Sequence, residues 1–256
     1  ADCGDVMRHR SLAGRARAQG NFGGAEKELR SALLAAETRQ RDGTEMGAVL
    51  NQLMSLYLEL GRFGEAESTG RRALAVLEKA QGGGDPSIAS ALSGIAALYR
   101  EQARYGEAET LANRAVLLLT QSVAHSSALG GAFAVLGGVA RERGRYVDAE
   151  RLLERSNVEF AANGGEHRLL NVSALAAVYR EQGRYAVAES VYREIMRALE
   201  KSEGRRSLSR ARTAIGLSML LHERGDYAEA AALLGEARQT LESTYGADHY
   251  MLAWAL

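Results

Sequence analysis

A short motif recurs six times along the chain at nearly constant spacing. Each copy is a small residue followed two positions later by an aromatic one, and successive copies lie 39 to 42 residues apart. The small residues are Gly20, Gly61, Ala103, Gly144, Gly183 and Gly225. A fixed period of this length is typical of solenoid proteins, in which each repeat is one supersecondary unit that packs on its neighbours. The sequence therefore predicts six tandem repeats.

Apolar residues on both sides of the motif have helical spacing. Eight and four positions before the small residue the side chains are mostly Leu and Tyr, as in Leu175 and Tyr179, which places them on one helical face. The chain contains a single proline, Pro86, and proline is poorly tolerated inside helices. Each repeat is therefore predicted to consist of a first helix (helix A), a turn at the small residue, and a second helix (helix B).

Two further positions in the motif predict how the helices pack. Every copy has alanine five residues after the small residue, which indicates a close crossing of helices A and B. These alanines are Ala25, Ala66, Ala108, Ala149, Ala188 and Ala230. The aromatic residue of each motif, from Phe22 to Tyr227, is predicted to be buried between adjacent helices.

The predicted fold is thus an all-α solenoid of six helix-turn-helix repeats plus a partial seventh helix, in a single domain over residues 1–256. The predicted repeats are 4–41, 43–83, 85–122, 124–164, 166–203 and 205–246. Residues 247–256 are predicted to begin a further repeat or to form a capping helix, packed on helix B of repeat 6.

The pattern of Leu175, Tyr179, Gly183, Tyr185 and Ala188 resembles the tetratricopeptide repeat. The period near 41 residues is similar to the longer repeats of the kinesin light chain type. This resemblance implies a right-handed superhelix whose helices A line the concave surface. Together with the helical phase, it also implies that the groove positions of helix A lie 13, 10, 6, 3 and 2 residues before the turn.

Charge and composition argue against several functional classes. The 32 basic residues balance 32 acidic ones, whereas nucleic-acid binding requires an excess of positive charge. No apolar run approaches the length of a membrane span. No catalytic motif or metal-ligand spacing is present, so we expect neither an enzyme nor a cofactor. The compartment is not determined by the sequence; the cytoplasm is the default.

The groove positions are occupied mainly by small side chains, beside which stand arginines. We expect a protein or peptide partner to approach the helix A surface closely, and the arginines either to bind acidic side chains of that partner or to pair locally with glutamate. The candidate binding residues are Asn51, Ser55, Ser93, Ala97, Arg100, Ala134, Gly138, Arg141, Ser173, Ala177 and Arg180. The glutamates follow directly after the arginine positions, as in Glu101, Glu142 and Glu181.

Three functional hypotheses follow from this pattern. The leading one is a scaffold that binds a protein or peptide in the helix A groove. The alternative is a regulatory or sensor segment of a larger multidomain protein in signalling or transcription. A solenoid that associates with itself is the third.

Overall fold

The computed structural model describes residues 4–38, 43–81, 86–120, 127–162, 166–204, 207–246, 249 and 251–252. In these ranges the chain forms twelve α-helices and no strand. The helices are α1 (Gly4–Ala18), α2 (Phe22–Thr38), α3 (Gly43–Glu59), α4 (Phe63–Gln81), α5 (Pro86–Glu101), α6 (Tyr105–Thr120), α7 (Ser127–Glu142), α8 (Tyr146–Ala162), α9 (Glu166–Glu181), α10 (Tyr185–Glu203), α11 (Leu208–Arg224) and α12 (Tyr227–Tyr245). Odd-numbered helices are the predicted helices A and even-numbered ones the helices B. The all-α repeat architecture is confirmed.

Every turn between helices A and B has the same hydrogen bonds. In repeat 2 the Arg62 N–H donates to the Tyr57 carbonyl at 2.8 Å, and the equivalent bond in the other five turns measures 2.8 or 2.9 Å. This bond closes a Schellman motif, which requires a left-handed residue at the turn. Five of the six turn residues are glycines with φ between 71° and 88°, whereas Ala103 adopts φ of 58°. The small residue of each motif is thus explained by backbone conformation.

The alanine after each turn is buried in all six repeats, with at most 3% of its surface exposed. Together with the buried Leu, Ile and Tyr residues of helix A, it forms the contact within each helix pair. Leu53, Ile95, Leu136, Leu175 and Leu217, eight residues before the turn, are all buried. Leu12, the equivalent residue of repeat 1, is exposed.

The chain divides into two compact units, residues 1–124 with α1 to α6 and residues 125–256 with α7 to α12. In the first unit each helix contacts the next along the chain, and α3 also contacts α5. Met54 fills the space beside two glycines of this unit. A Cβ atom at Gly70 would lie 2.5 Å from the Met54 sulfur, and one at Gly94 would also collide with the Met54 side chain.

In the second unit consecutive helices again pack together, and α9 also contacts α7 and α11. Large side chains of helices B lie against glycines of helices A. A Cβ atom at Gly137 would lie 2.7 Å from Leu153, and one at Gly216 would lie 2.8 Å from the Tyr192 ring. Helix approach here is therefore set by glycine as well as by the repeated alanine.

The prediction that all turn aromatics are buried is wrong. Phe22 is buried, but Tyr185 is 39% exposed and Tyr227 is 62% exposed. The aromatic residue is the first of helix B, so its burial depends on which side chains surround the helix start in each repeat. No helix among the described residues is long and apolar enough to cross a membrane.

Most of the predicted helix at 247–256 lies outside the described residues. Within it, Leu252 is buried in the core cluster that contains Ala237 and Leu241 of α12, and Met251 packs against that cluster. The His249 ring stacks on Tyr245 with ring centres 4.1 Å apart. The described part of the segment therefore packs on helix B of repeat 6.

Candidate peptide-binding surface

The predicted groove positions of the first unit lie on two neighbouring helices. Asn51 and Ser55 are half-buried residues of α3, and Ser93 and Ala97 are on α5. The Asn51 side chain links the two helices, since its Nδ2 donates to the Ser87 carbonyl at 3.1 Å. Small side chains at the other three positions leave the backbone of both helices approachable. We call these four residues the floor of the first unit.

Two polar atoms of this floor are buried without a hydrogen-bond partner among the described residues. They are the Asn51 Oδ1 and the Ser93 Oγ. Ser93 as a whole is 9% exposed, and Asn51 is more exposed. An unsatisfied buried polar group costs about 1–3 kcal/mol, so a donor or acceptor brought to this floor would recover part of that free energy.

The predicted positions of the second unit lie on α7 and α9. Ala134 and Gly138 of α7 and Ser173 of α9 are half-buried, and Ala177 is buried. All four residues are small. None of them presents an unsatisfied polar atom among the described residues.

The arginines three positions before the turn are engaged in ion pairs. In the first unit Arg17 donates to Glu59 of the next helix A at 2.6 Å, and Arg100 contacts its neighbour Glu101 at 2.5 Å. Both glutamates belong to the row that the sequence places beside the arginines. Local pairing, one of the two alternatives left open by the sequence, is therefore present in the first unit.

A larger ion-pair network joins the three helices A of the second unit. Arg141 of α7 contacts its neighbour Glu142 and lies 4.0 Å from Glu181 of α9. Arg180 of α9 contacts Glu181 at 3.1 Å and also Glu223 of α11. Two arginines thus face three glutamates, and the Arg180 side chain is only 11% exposed.

The pKa values in this network follow from its burial. Burial raises the pKa of Glu181 above its ordinary value, against the opposing effect of the Arg141 and Arg180 charges. Burial alone would lower the pKa of Arg141, but its hydrogen bond to Glu142 and the charges of Glu142 and Glu181 raise it. Tyr192 of α10 is buried close to these charges, and burial raises its pKa to about 12. Arg141 is therefore charged at neutral pH.

A second set of contacts, which sequence reasoning missed, joins consecutive repeats. In the first unit Glu26 of α2 accepts hydrogen bonds from the Tyr57 hydroxyl at 3.1 Å and from Arg62 at 2.6 Å. The Arg62 guanidinium also lies 4.5 Å from the centre of the Tyr57 ring. Glu67, Tyr99 and Arg104 repeat the arrangement one period later. We call this set the inter-repeat clamp.

The clamp has a sequence signal that could have identified it. Glutamate stands six residues after the turn in repeats 1 to 5, and arginine stands one residue after the turn in repeats 2 to 5. In the second unit Arg184 donates to Glu150 at 2.9 Å and lies 4.2 Å from the Tyr179 ring centre. Repeat 6 departs from the pattern with Asp226 and Ala231 at these positions.

A pocket of about 440 Å³ lies between α11 and α12 in the second unit. Its lining includes Met219 and His222 of α11 and Tyr227, Ala231 and Leu234 of α12. The His222 and Tyr227 rings meet edge to face with centres 5.2 Å apart. No group of three or more potential metal ligands occurs among the described residues.

Solved structures of several proteins are similar to the chain. NprR in complex with its cognate peptide NprX matches 97% of this chain and 70% of its own length, with a TM-score of 0.72 and 15% identity. A Rap protein complexed with Competence and Sporulation Factor matches 93% of this chain and 70% of its own length, with a TM-score of 0.70 and 16% identity. BtubC (BKLC) from P. vanneervenii matches 94% of this chain and 93% of its own length, with a TM-score of 0.61 and 18% identity. At these identities the similarity concerns the fold.

No curated protein sequence matches the chain. The model of the tetratricopeptide repeat matches residues 45–121 and 166–243, which together make up more than half of the chain. Both segments consist of helix pairs with the turn, alanine and periodicity described above. The chain therefore belongs to the tetratricopeptide repeat family.

Proposed function

We propose that this protein is a scaffold that binds an extended segment of a partner protein on its helix A surface. The observation that carries the proposal is the pair of unsatisfied polar atoms on the floor of the first unit, Asn51 Oδ1 and Ser93 Oγ. They lie on α3 and α5, at the groove positions that the family resemblance implies. A peptide main chain offers both the donors and the acceptors that these atoms require.

The small side chains of the floor support the same function. Ser55 and Ala97 lie one helical turn after Asn51 and Ser93 on the same two helices, and their small size lets a peptide backbone come close enough to form hydrogen bonds. A serine needs only a rotation about one torsion to turn its hydroxyl from the interior to the surface. Further support comes from NprR, a protein of similar fold whose structure contains a peptide.

Arg100 can form an ion pair with an acidic residue of the bound segment. It follows Ser93 by seven positions and Ala97 by three, and so lies on the same side of α5 as the floor. Its ion-pair partner Glu101 is exposed, and an exposed pair of this kind contributes little stability. A partner carboxylate can therefore replace Glu101 at low cost. In the second unit, Arg141 and Arg180 share the half-buried Glu181 in a larger network, so a partner carboxylate would have to replace more than one ion pair.

Binders selected from a random library of displayed 12-residue peptides would test the proposal on the full chain. We expect Ala97→Leu, which fills the floor, to weaken the selected peptides more than tenfold, and Asn51→Ala to weaken them about fivefold to tenfold, equivalent to the loss of one hydrogen bond of about 1–1.5 kcal/mol. Arg100→Glu should weaken acidic peptides and abolish their dependence on salt.

The matched control is Arg114→Glu, which changes an exposed arginine of α6, the helix B of repeat 3. The double variant Arg141→Glu, Arg180→Glu examines the second unit in the same assay. If the selected peptides bind the floor variants as tightly as the unchanged chain, binding does not use the helix A surface and the proposal is wrong.

A further inference from the structure

The pocket between α11 and α12 is built from a surface that is covered elsewhere in the second unit. In repeat 4 the residues two, five and nine positions after the turn are Tyr146, Ala149 and Leu153. In repeat 6 the same positions have the same residue types, Tyr227, Ala230 and Leu234. Both sets lie on one side of a helix B because their spacing is helical.

In repeat 4 this surface is covered by α9. Leu175 and Val178 of α9 form a buried cluster with Ala149 and Leu153, and Tyr179 packs against that cluster. These three residues of α9 stand at positions i, i+3 and i+4, which is the apolar stripe of an amphipathic helix. In repeat 4 the Tyr-Ala-Leu surface is therefore covered by the apolar stripe of an amphipathic helix.

In repeat 6 part of the same surface is open, although Ala230 is buried. Tyr227 is 62% exposed and Met219, which faces the same pocket, is 38% exposed. Met251 and Leu252 pack on the adjoining cluster of α12, so the pocket continues a surface on which the chain already lays apolar side chains. Exposed apolar side chains gathered around a pocket are characteristic of binding sites.

The charges at the pocket differ from those of a repeat junction. In repeat 4 Glu150 accepts a hydrogen bond from Arg184 at the turn that follows α9. Ala231 replaces this glutamate in repeat 6, so the clamp has no acceptor there. A helix bound in the pocket would therefore be held by apolar contacts and would need no arginine at its end.

We propose that the α11–α12 pocket is a docking site for an amphipathic helix of a partner protein, with apolar residues at i, i+3 and i+4 like those of α9. This site is distinct from the floor of the first unit, so the experiments below test it independently of the function proposed above. A folded second copy is a poor occupant. Among the described residues, no two exposed large apolar side chains stand three or four positions apart on one helix, so another copy offers no such stripe.

A synthetic peptide that copies residues 166–188 of this chain provides the probe, labelled with fluorescein and titrated with the full chain. We expect saturable binding, and at least a tenfold loss when the Leu175 position of the peptide is changed to glutamate. On the protein side, Met219→Glu should weaken binding at least tenfold. Leu117→Glu, an exposed residue of α6 in the first unit, is the matched control and should leave binding unchanged.

Ala231→Glu sharpens the test because it restores the glutamate of the clamp at an exposed position. The unchanged protein should bind the peptide and its Arg184→Ala version within twofold of each other. The Ala231→Glu protein should prefer the arginine-containing peptide at least threefold, and the preference should disappear at high salt.

Three results would overturn the proposal. The first is the absence of binding to the unchanged chain, and the second is binding that Met219→Glu leaves intact while circular dichroism shows a folded protein. The third is concentration-dependent dimerisation of the chain, seen by light scattering and abolished by Met219→Glu. That result would assign the pocket to a second copy.

Discussion

The guanidinium of Arg62 lies over the ring of Tyr57, five residues earlier in the chain, with 4.5 Å between the guanidinium carbon and the ring centre. Both side chains also contact Glu26 of the preceding repeat. Burial alone would raise the pKa of Glu26, but the hydrogen bonds of Arg62 and Tyr57 lower it below its ordinary value. One glutamate therefore connects the turn of repeat 2 to helix B of repeat 1.

The clamp should contribute measurable stability. We expect Arg62→Ala to reduce the free energy of unfolding by about 1 kcal/mol, because it removes a cation–π contact and an ion pair that is partly exposed to solvent. Tyr57→Phe retains the ring and should cost about 0.5–1.5 kcal/mol through its lost hydroxyl bonds. In urea unfolding the double variant should lose less than the sum of the single variants. Lys27→Ala, at an exposed position of α2, is the control, and strict additivity would refute the coupling.

Ala103 should be replaceable by glycine with a gain in stability. Its φ of 58° is left-handed, which costs an L-residue about 1–2 kcal/mol, whereas glycine adopts it freely at an entropic cost of about 0.5–1 kcal/mol. Ala103→Gly should therefore raise the thermal midpoint, with a gain of up to about 1 kcal/mol. Gly144→Ala is the opposite substitution, glycine to alanine, at the equivalent turn position of repeat 4, and it should lower the thermal midpoint. The same sign of change in both variants would contradict this account of the turn.

Two helical glycines should respond in opposite ways to alanine. A Cβ atom at Gly216 would lie 2.8 Å from the Tyr192 ring, so Gly216→Ala should cost about 1–3 kcal/mol through overpacking. A Cβ atom at Gly235 would meet nothing within 4 Å, so Gly235→Ala should gain about 0.5–1 kcal/mol from helix propensity. Chemical denaturation of both variants measures the difference. Equal effects would show that Tyr192 does not fix the approach of α10 and α11.

Two glutamates of the second unit should give opposite contributions to the pH dependence of stability. The hydrogen bond from Gln182, assisted by Arg184, lowers the pKa of Glu150, so its contribution is present above the ordinary value of 4.5 and is lost as the pH falls through the lowered pKa. Burial raises the pKa of Glu181, so its contribution is present below 4.5 and is lost as the pH rises through the raised pKa.

Denaturation of Glu150→Gln and Glu181→Gln between pH 3 and 7 tests these signs. As the pH rises, Glu150→Gln should become less stable relative to the unchanged protein, by less than about 1 kcal/mol for a largely exposed pair. Glu181→Gln should become relatively more stable over the range above pH 4.5. Parallel profiles for the two variants would contradict the opposite shifts.

The sequence by itself determined the repeat and its local geometry. A left-handed turn at Gly61 or Gly183 and a close helix crossing at Ala66 or Ala188 are requirements of short-range sterics. Because the same requirement recurs in every repeat, it leaves a visible period in the sequence. The same period, together with the family resemblance, predicts that the small residues Ser55, Ala97, Ala134 and Gly138 occupy groove positions.

Only the tertiary structure decided what the longer side chains contact. Arg180 and Glu223 are 43 residues apart, and Glu26 and Arg62 are 36 apart. Flexible charged side chains can reach several partners, and the choice depends on where the neighbouring helix lies. Tyr227 has the same place in its repeat as the buried Phe22, yet it is exposed beside an open pocket. Tyr185 in the middle repeat of the second unit is exposed as well, so burial at this position depends on the side chains around it and not on the repeated motif.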